Sequence, residues 1–392
     1  MPSDNSWNKH RIAQTIVYFL IVVSFGMVIS ALGPVLPDIA AQVNTTPGRI
    51  GVVFAIRALG GFIGSLLGGW LYDRYSGHAV MGINMLLMAG SFIVVPFINS
   101  FELLMIDGLV MGLVSNVLLV GANTLLVWVR SEKVGPWMSA LSFFNGLGGF
   151  FIPMIIALFM RATGVFSGAF MAVAGFLTLA GLWMFFVPSP KIRKTEETPG
   201  AGGRIPWGLI LAFTLVFLLY GGAEISFSSW LFTFVVGLHP DAENTATLLN
   251  SAFWLAMAVG RLLAIPISAR LRPRLILWID FLCGLASLAV LLFLPNLIPA
   301  LWIGSIGVGL CMASVFPVLL DFVDRRVKVN GKINGLILSG VSIGAIFFPW
   351  LAGLMFDNYG PQATMAVIFV SYLAAAGIFA ALTRVPKTQP AE

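Results

Sequence analysis

Twelve times along its 392 residues the sequence runs for more than twenty positions in side chains that are almost all apolar, broken only by short polar stretches. A run of that length makes a helix able to cross the roughly 30 Å hydrocarbon core of a bilayer. In lipid the backbone has no hydrogen-bonding partner but itself, so a helix is what such a run must become. The runs lie at 13–36, 47–72, 78–98, 101–129, 136–162, 165–188, 207–236, 246–269, 273–294, 298–323, 333–356 and 362–383. Only 10% of residues are charged, against about 25% in a soluble domain. The sequence therefore predicts an all-α membrane protein with no soluble domain. The first run is longer than a signal-peptide core and lacks a clean cleavage site, so it is expected to stay as the first span.

The 22 Lys and Arg residues orient these spans. Eighteen fall before the first span, in the even-numbered loops or after the last span, and two, Arg49 and Arg161, fall on the other side. Arg57 and Arg261 lie within spans. By the positive-inside rule both termini are expected in the cytoplasm. The net charge of +6 is thus a topology signal, and basic residues scattered over short loops exclude nucleic acid as a partner. The short loops point to a bacterial inner membrane, and the chain is expected to act as a monomer in the lipid bilayer. His10, His78 and His239 stand at span ends or in loops, and no metal-ligand cluster, phosphate loop or Ser/His/Asp set is present. Neither an enzyme nor a metal or organic cofactor is expected.

The stretch 189–206 is rich in Pro, Gly and charge, as a linker should be, and falls at mid-chain. It divides the chain into two six-span bundles, 1–188 and 207–392, joined by a cytoplasmic linker. An offset of 196 residues pairs Gly64 with Gly260, Arg74 with Arg270, Pro153 with Pro349 and Gly164 with Gly360. Two pseudo-symmetric six-helix bundles related by duplication are the architecture of alternating-access transporters, which hold substrate near the midplane between the halves.

Polar side chains inside the spans mark where a small-molecule substrate could be held. Asn250, Trp254, Met257 and Arg261 share one helix face. Asn116 and Asn123 share another, and Ser139, Ser142 and Asn145 recur at steps of three. Tyr220, Glu224, Phe227 and Ser228 line one side of the seventh span. Spans 3, 6 and 12 carry no charge and are expected at the periphery. The ladder Gly60, Gly64, Gly68 is expected to be helix packing. Glu224 is the only acid placed deep in the membrane. Ionised and unpaired it would cost several kcal/mol, so it must hold a proton, pair with a cation such as Arg57, or be solvated. A carboxylate so poised can carry H⁺ or Na⁺ as a coupling ion. The site expected from these residues is Glu224 for the ion, with Arg57, Asn123, Asn145, Tyr220, Asn250 and Trp254 for substrate.

The segment GGWLYDRYSG at 68–77 resembles the loop signature G-x-L-x-D-R-x-G-R-R of the major facilitator superfamily, through Gly69, Leu71, Asp73 and Arg74. That resemblance implies the superfamily fold and a gating role for Gly69, Asp73 and Arg74. The segments FAIRALGGFIGSLLGGWLYD, LYGGAEISFSSWLFTF, LNSAFWLAMAVGRLLAI and ASVFPVLLDF are similar to those of sodium-dependent glucose transporters and fucose:proton symporters. This branch-level resemblance implies cation-coupled symport of a sugar or sugar-derived acid, with Glu224, Arg57 and Asn123 in the site. The chain departs from that branch at Ser139, Ser142 and Leu119, and no acid stands in its first span. A less hydroxylated or anionic substrate, or proton-coupled efflux of amphipathic compounds, is the alternative.

Overall fold

The computed structural model describes residues 4–130, 134–190, 207–326 and 331–384, and among them the regular structure is helical, with no strand. The expected linker lies, from residue 191 on, outside the described residues. The chain divides into two compact units, Met1–Thr195 and Glu196–Glu392. The first holds α1 (Asp4–Ala31), a short α2 (Leu36–Gln42), α3 (Gly51–Arg74), α4 (Gly77–Val94), α5 (Phe101–Val129), α6 (Val134–Thr163) and α7 (Ser167–Met184). The second holds α8 (Trp207–Leu238), α9 (Glu243–Arg270), α10 (Pro273–Phe293), α11 (Ile298–Asp324), α12 (Gly331–Tyr359) and α13 (Pro361–Arg384). Twelve of these helices are long and apolar enough to cross a membrane.

Helix ends follow the proline and glycine punctuation more closely than the hydropathy runs do. α1 stops at Ala31 instead of reaching residue 36, because Pro34 lacks an N–H and disfavours helical backbone at Gly33. The chain then turns and restarts as α2, with Pro37 in its first turn. The third span ends at Val94, and Val95–Phe97 tighten into a 3₁₀ turn around Pro96.

Each unit builds itself from the same helix pairs. In the first, α1 packs on α6, α3 on α5 and α4 on α7; in the second, α8 packs on α12, α9 on α11 and α10 on α13. The close contacts repeat at the 196-residue offset. A Cβ at Gly26 would overlap the Asn145 carbonyl, and one at Gly148 the Val23 carbonyl. Their counterparts are Gly344, whose Cβ would overlap the Leu218 carbonyl, and Gly222, whose Cβ would overlap the Phe348 ring and stand 3.1 Å from the Gly344 carbonyl. Small residues here bring two backbones into contact, the main source of helix adhesion where lipid removes the hydrophobic incentive. Gly164 (φ +75°) and Gly360 (φ +84°) make the same left-handed turn after α6 and α12. Pro153 and Pro349 stand at matching places inside those helices.

The glycine ladder of α3 is helix packing: a Cβ at Gly60 or Gly64 would strike the Leu109 or Leu113 carbonyl of α5. The helix α13, whose span 362–383 carries no charge, does more than expected of a peripheral span. It packs along α8 and α10, its Ser371 hydroxyl donates to the Leu219 carbonyl (2.8 Å), and its Tyr372 hydroxyl donates to the Asp280 carbonyl (3.1 Å).

Candidate functional site

In the second unit Glu224 sits mid-way along α8 with its side chain about one-fifth exposed. One carboxylate oxygen faces the Arg261 guanidinium of α9 at 3.8 Å; the other accepts a hydrogen bond from Tyr220, one turn earlier on α8. A full pair at that distance is worth about 4 kcal/mol at an effective dielectric near 20, before the desolvation of both groups is subtracted. The counter-ion that the sequence suggested was Arg57; within the second unit the cation that reaches Glu224 is Arg261.

Tyr220 has a second acceptor, the Met312 carbonyl of α11 at 2.8 Å, but only one hydroxyl proton to give. With Glu224 ionised, that proton serves the carboxylate while Arg261 neutralises its other oxygen. With Glu224 protonated, its own O–H can donate to the Tyr220 oxygen, and Tyr220 turns its proton to Met312. Each protonation state thus has a satisfied hydrogen-bond pattern, and the change between them is a rotation of two hydroxyl protons. A carboxylate held this way can take up and release a cation without moving a helix.

Two and three turns from Arg261 toward the start of α9, Trp254 (4% exposed) and Asn250 (0%) are buried. Both amide atoms of Asn250 and the indole N–H of Trp254 have no hydrogen-bond partner among the described residues. The same holds for the hydroxyls of Ser226 and Thr233 on α8, Ser251 on α9 and Ser305 on α11. More than nine in ten buried polar groups in folded proteins are paired, so α8, α9 and α11 keep an unusual hydrogen-bonding capacity in reserve. Trp230 is also fully buried, but its indole N–H is spent on the Pro349 carbonyl (3.1 Å). It ties α8 to α12 beside the proline.

In the first unit Arg57 is 9% exposed on α3, and its guanidinium donates to the Ile29 carbonyl of α1 at 3.5 Å, with no acidic partner among the described residues of that unit. A Cβ at Gly112 of α5 would overlap the Arg57 carbonyl, so the residue's main chain is clamped between neighbouring helices while its charge is poorly compensated. Asn123 uses its amide N–H₂ on the Leu119 carbonyl (2.9 Å), leaving its oxygen unspent. Asn116 bonds back to Gly112 (3.1 Å) and receives Ser65 (3.5 Å), which is helix glue. The Asn145 side-chain oxygen is buried with no hydrogen-bond partner among the described residues. At the far end of α3, Gly69, Asp73 and Arg74 are exposed, and the Arg74 guanidinium lies 4.7 Å from the Trp70 ring.

The sequence profile of the Major Facilitator Superfamily matches residues 18–338. The chain belongs to that superfamily. It is a multi-pass membrane transporter, not an enzyme. Over 366 residues it is 28% identical to the sodium-dependent glucose transporter 1 of Xenopus laevis, covering 85% of this chain and 74% of the relative. Over 372 residues it is 27% identical to the protein of that name in Homo sapiens, covering 85% and 72%. Among solved structures it is similar to the nucleoside transporter NupG, with a TM-score of 0.79, 14% identity and coverage of 96% and 100%. A bacterial homologue of the human lysosomal transporter Spinster superposes with a TM-score of 0.73 at 15% identity, covering 97% and 98%. These two share the fold; the glucose-transporter relatives share the sequence over most of the chain.

Proposed function

We propose that this transporter is a cation-coupled symporter of a sugar or sugar-derived acid, resident in the cell membrane with both termini cytoplasmic. The observation that carries the proposal is the pairing of a proton-switchable carboxylate with a reserve of unspent hydrogen bonds. Glu224, held by Tyr220 and Arg261, serves the coupling ion, H⁺ or Na⁺. Asn250, Trp254 and Asn145 have donors and acceptors left for hydroxyl groups. A polyhydroxylated solute carries both donors and acceptors, and a site built to bond it rejects analogues lacking them. Arg57, poorly compensated in its own unit, suits an acidic substituent on the sugar. The similarity to sodium-dependent glucose transporters supports the same assignment. Coupling follows if ion and solute each favour the same conformation of the cycle, so that binding of one raises the affinity for the other. Asp73 and Arg74 are assigned to gating on their match to the superfamily signature.

The test is uptake into proteoliposomes under an imposed H⁺ or Na⁺ gradient, across a panel of sugars and sugar acids. Glu224→Gln is expected to abolish uphill accumulation while leaving substrate counterflow. Undiminished uphill uptake by this variant overturns the coupling role, and extrusion of amphipathic compounds in place of sugar uptake overturns the substrate class.

A further inference from the structure

The second unit contains another buried acid that the coupling scheme does not use. Asp280 lies two turns into α10, at the end of the helix that follows the basic loop Arg270–Arg274, and is 7% exposed. One carboxylate oxygen accepts the Ser314 hydroxyl of α11 at 2.6 Å, and the Asp280 carbonyl accepts the Tyr372 hydroxyl of α13 at 3.1 Å. Among the described residues no Lys, Arg or His nitrogen stands within 4 Å of it. The ionisable groups that face it are Cys311 of α11 and Tyr372 of α13; α9, which touches α10 sparingly, brings no charge within 4 Å.

We propose that Asp280 is a second exchangeable-proton site, linked to Glu224 through Tyr220 and Tyr372. An ionised carboxylate at this depth with one hydroxyl donor and no cation is costly by several kcal/mol, which a bound proton removes. Proton is favoured over Na⁺ by the ligand count. The oxygens on the page are the carboxylate and two hydroxyls, both already donating, too few to replace the hydration shell of a hard cation.

The internal repeat shows where that proton would go. At the 196-residue offset the first unit has Asn84, also buried, whose Nδ2 donates to the Val80 carbonyl one turn back at 2.8 Å. A protonated Asp280 has the shape of that amide, and the Ile276 carbonyl one turn back is the matching acceptor. The repeat also has Phe176 where the second unit has Tyr372, so the hydroxyl that reaches Asp280 is peculiar to the second bundle.

The connection to Glu224 is short. α11 holds both acids from positions two apart, the Met312 carbonyl taking Tyr220 and the Ser314 hydroxyl serving Asp280. The Tyr220 and Tyr372 rings are 6.5 Å apart, centroid to centroid. Gly284 makes room for Tyr372, whose hydroxyl and ring would stand 2.8 Å from a Cβ there. A proton on either acid therefore alters the field at the two tyrosine hydroxyls and, through them, at the other acid.

The linkage rests on Glu224 being the coupling carboxylate; the proton on Asp280 does not. Infrared difference spectra between low and high pH, taken on the full chain in proteoliposomes, read protonated carboxyl groups directly. Asp280→Asn, which installs the amide already used in the first bundle, is expected to remove one carboxylic-acid signal and Glu224→Gln another. Glu224→Gln should also shift the midpoint of the Asp280 signal by about one pH unit, a shift that Tyr372→Phe abolishes. Should Asp280→Asn fail to fold, Ser314→Ala serves, because loss of its hydrogen bond must displace the same carboxyl band. An unchanged acid signal in Asp280→Asn, or in Ser314→Ala, overturns the proposal. Disappearance of the band on adding Na⁺ at fixed pH overturns it in favour of a sodium site. A midpoint indifferent to Glu224→Gln removes the linkage, and uphill uptake by Glu224→Gln refutes the coupling reading instead.

Discussion

Tyr220→Phe removes one oxygen atom and leaves the packing of a fully buried ring intact, so its effect isolates the hydroxyl. That hydroxyl serves two acceptors, the Glu224 carboxylate and the Met312 carbonyl. A hydrogen bond to a charged group is worth about 1.5–3 kcal/mol and one between neutral groups about 1 kcal/mol. The ionised form loses one bond of the first kind; the protonated form loses two of the second, from its own O–H to Tyr220 and from Tyr220 to the Met312 carbonyl. The two losses differ by about 1 kcal/mol at most, so proton affinity moves by less than about tenfold, since 1.4 kcal/mol is a factor of ten, while both forms lose stability. The assay is gradient-driven uptake into proteoliposomes as a function of coupling-cation concentration, with substrate counterflow as the measure of a functional protein. Half-saturation by protons should stay within about tenfold of wild type and counterflow should persist, in a protein of lower melting temperature. The double variant with Glu224→Gln should be no more impaired in uphill uptake than Glu224→Gln alone, because Tyr220 acts through the carboxylate. A shift of proton half-saturation well beyond tenfold in Tyr220→Phe, or a melting temperature equal to that of the wild type, would refute the reasoning.

Trp254→Phe deletes an unpartnered indole N–H and Asn250→Ala an unpartnered amide. If these bind substrate, each should raise the half-saturating sugar concentration about 5- to 30-fold, for roughly 1–2 kcal/mol per lost bond, without moving the cation dependence measured in the same vesicles. Arg57→Gln should weaken acidic sugars more than neutral ones, read by competition uptake. Gly344→Ala drives a methyl into the Leu218 carbonyl and Gly148→Ala into the Val23 carbonyl. Each should cost about 1–3 kcal/mol, seen as a lower melting temperature in detergent for both variants.

Much of the architecture was legible because lipid leaves a chain few options. Run length predicted twelve spans, and the 196-residue offset predicted a repeat that reappears in Gly164 and Gly360, whose left-handed turns only glycine makes easily. The end of α1 was misjudged because apolar side chains continue past Gly33-Pro34 while the backbone cannot. Glu224 was found by its cost in an apolar run. Its partner Arg261 was open to counting: Glu224 lies 14 residues before the end of α8 and Arg261 18 residues after the start of α9, so an antiparallel pair brings them to one depth. The Tyr220 bond could be read from i, i+4 spacing, but the Met312 carbonyl could not, because backbone acceptors carry no sequence signal. Nothing local marks Asp280, two turns from the start of α10, as buried. Its burial comes from α11 and α13, helices far along the chain whose packing no local pattern records.

Gly222 stands two residues before Glu224, where α8 rests against the Phe348 ring and the Gly344 main chain of α12. An anchor of that kind leaves the Glu224 main chain little slack, and its charge can relocate only through its own torsions and those of Tyr220. Torsional hops and hydroxyl rotations take picoseconds to nanoseconds, whereas collective helix and bundle motions take microseconds to milliseconds. If Glu224 carries the coupling ion as proposed, its loading and unloading are quasi-equilibrated on every cycle and the backbone sets the tempo of transport.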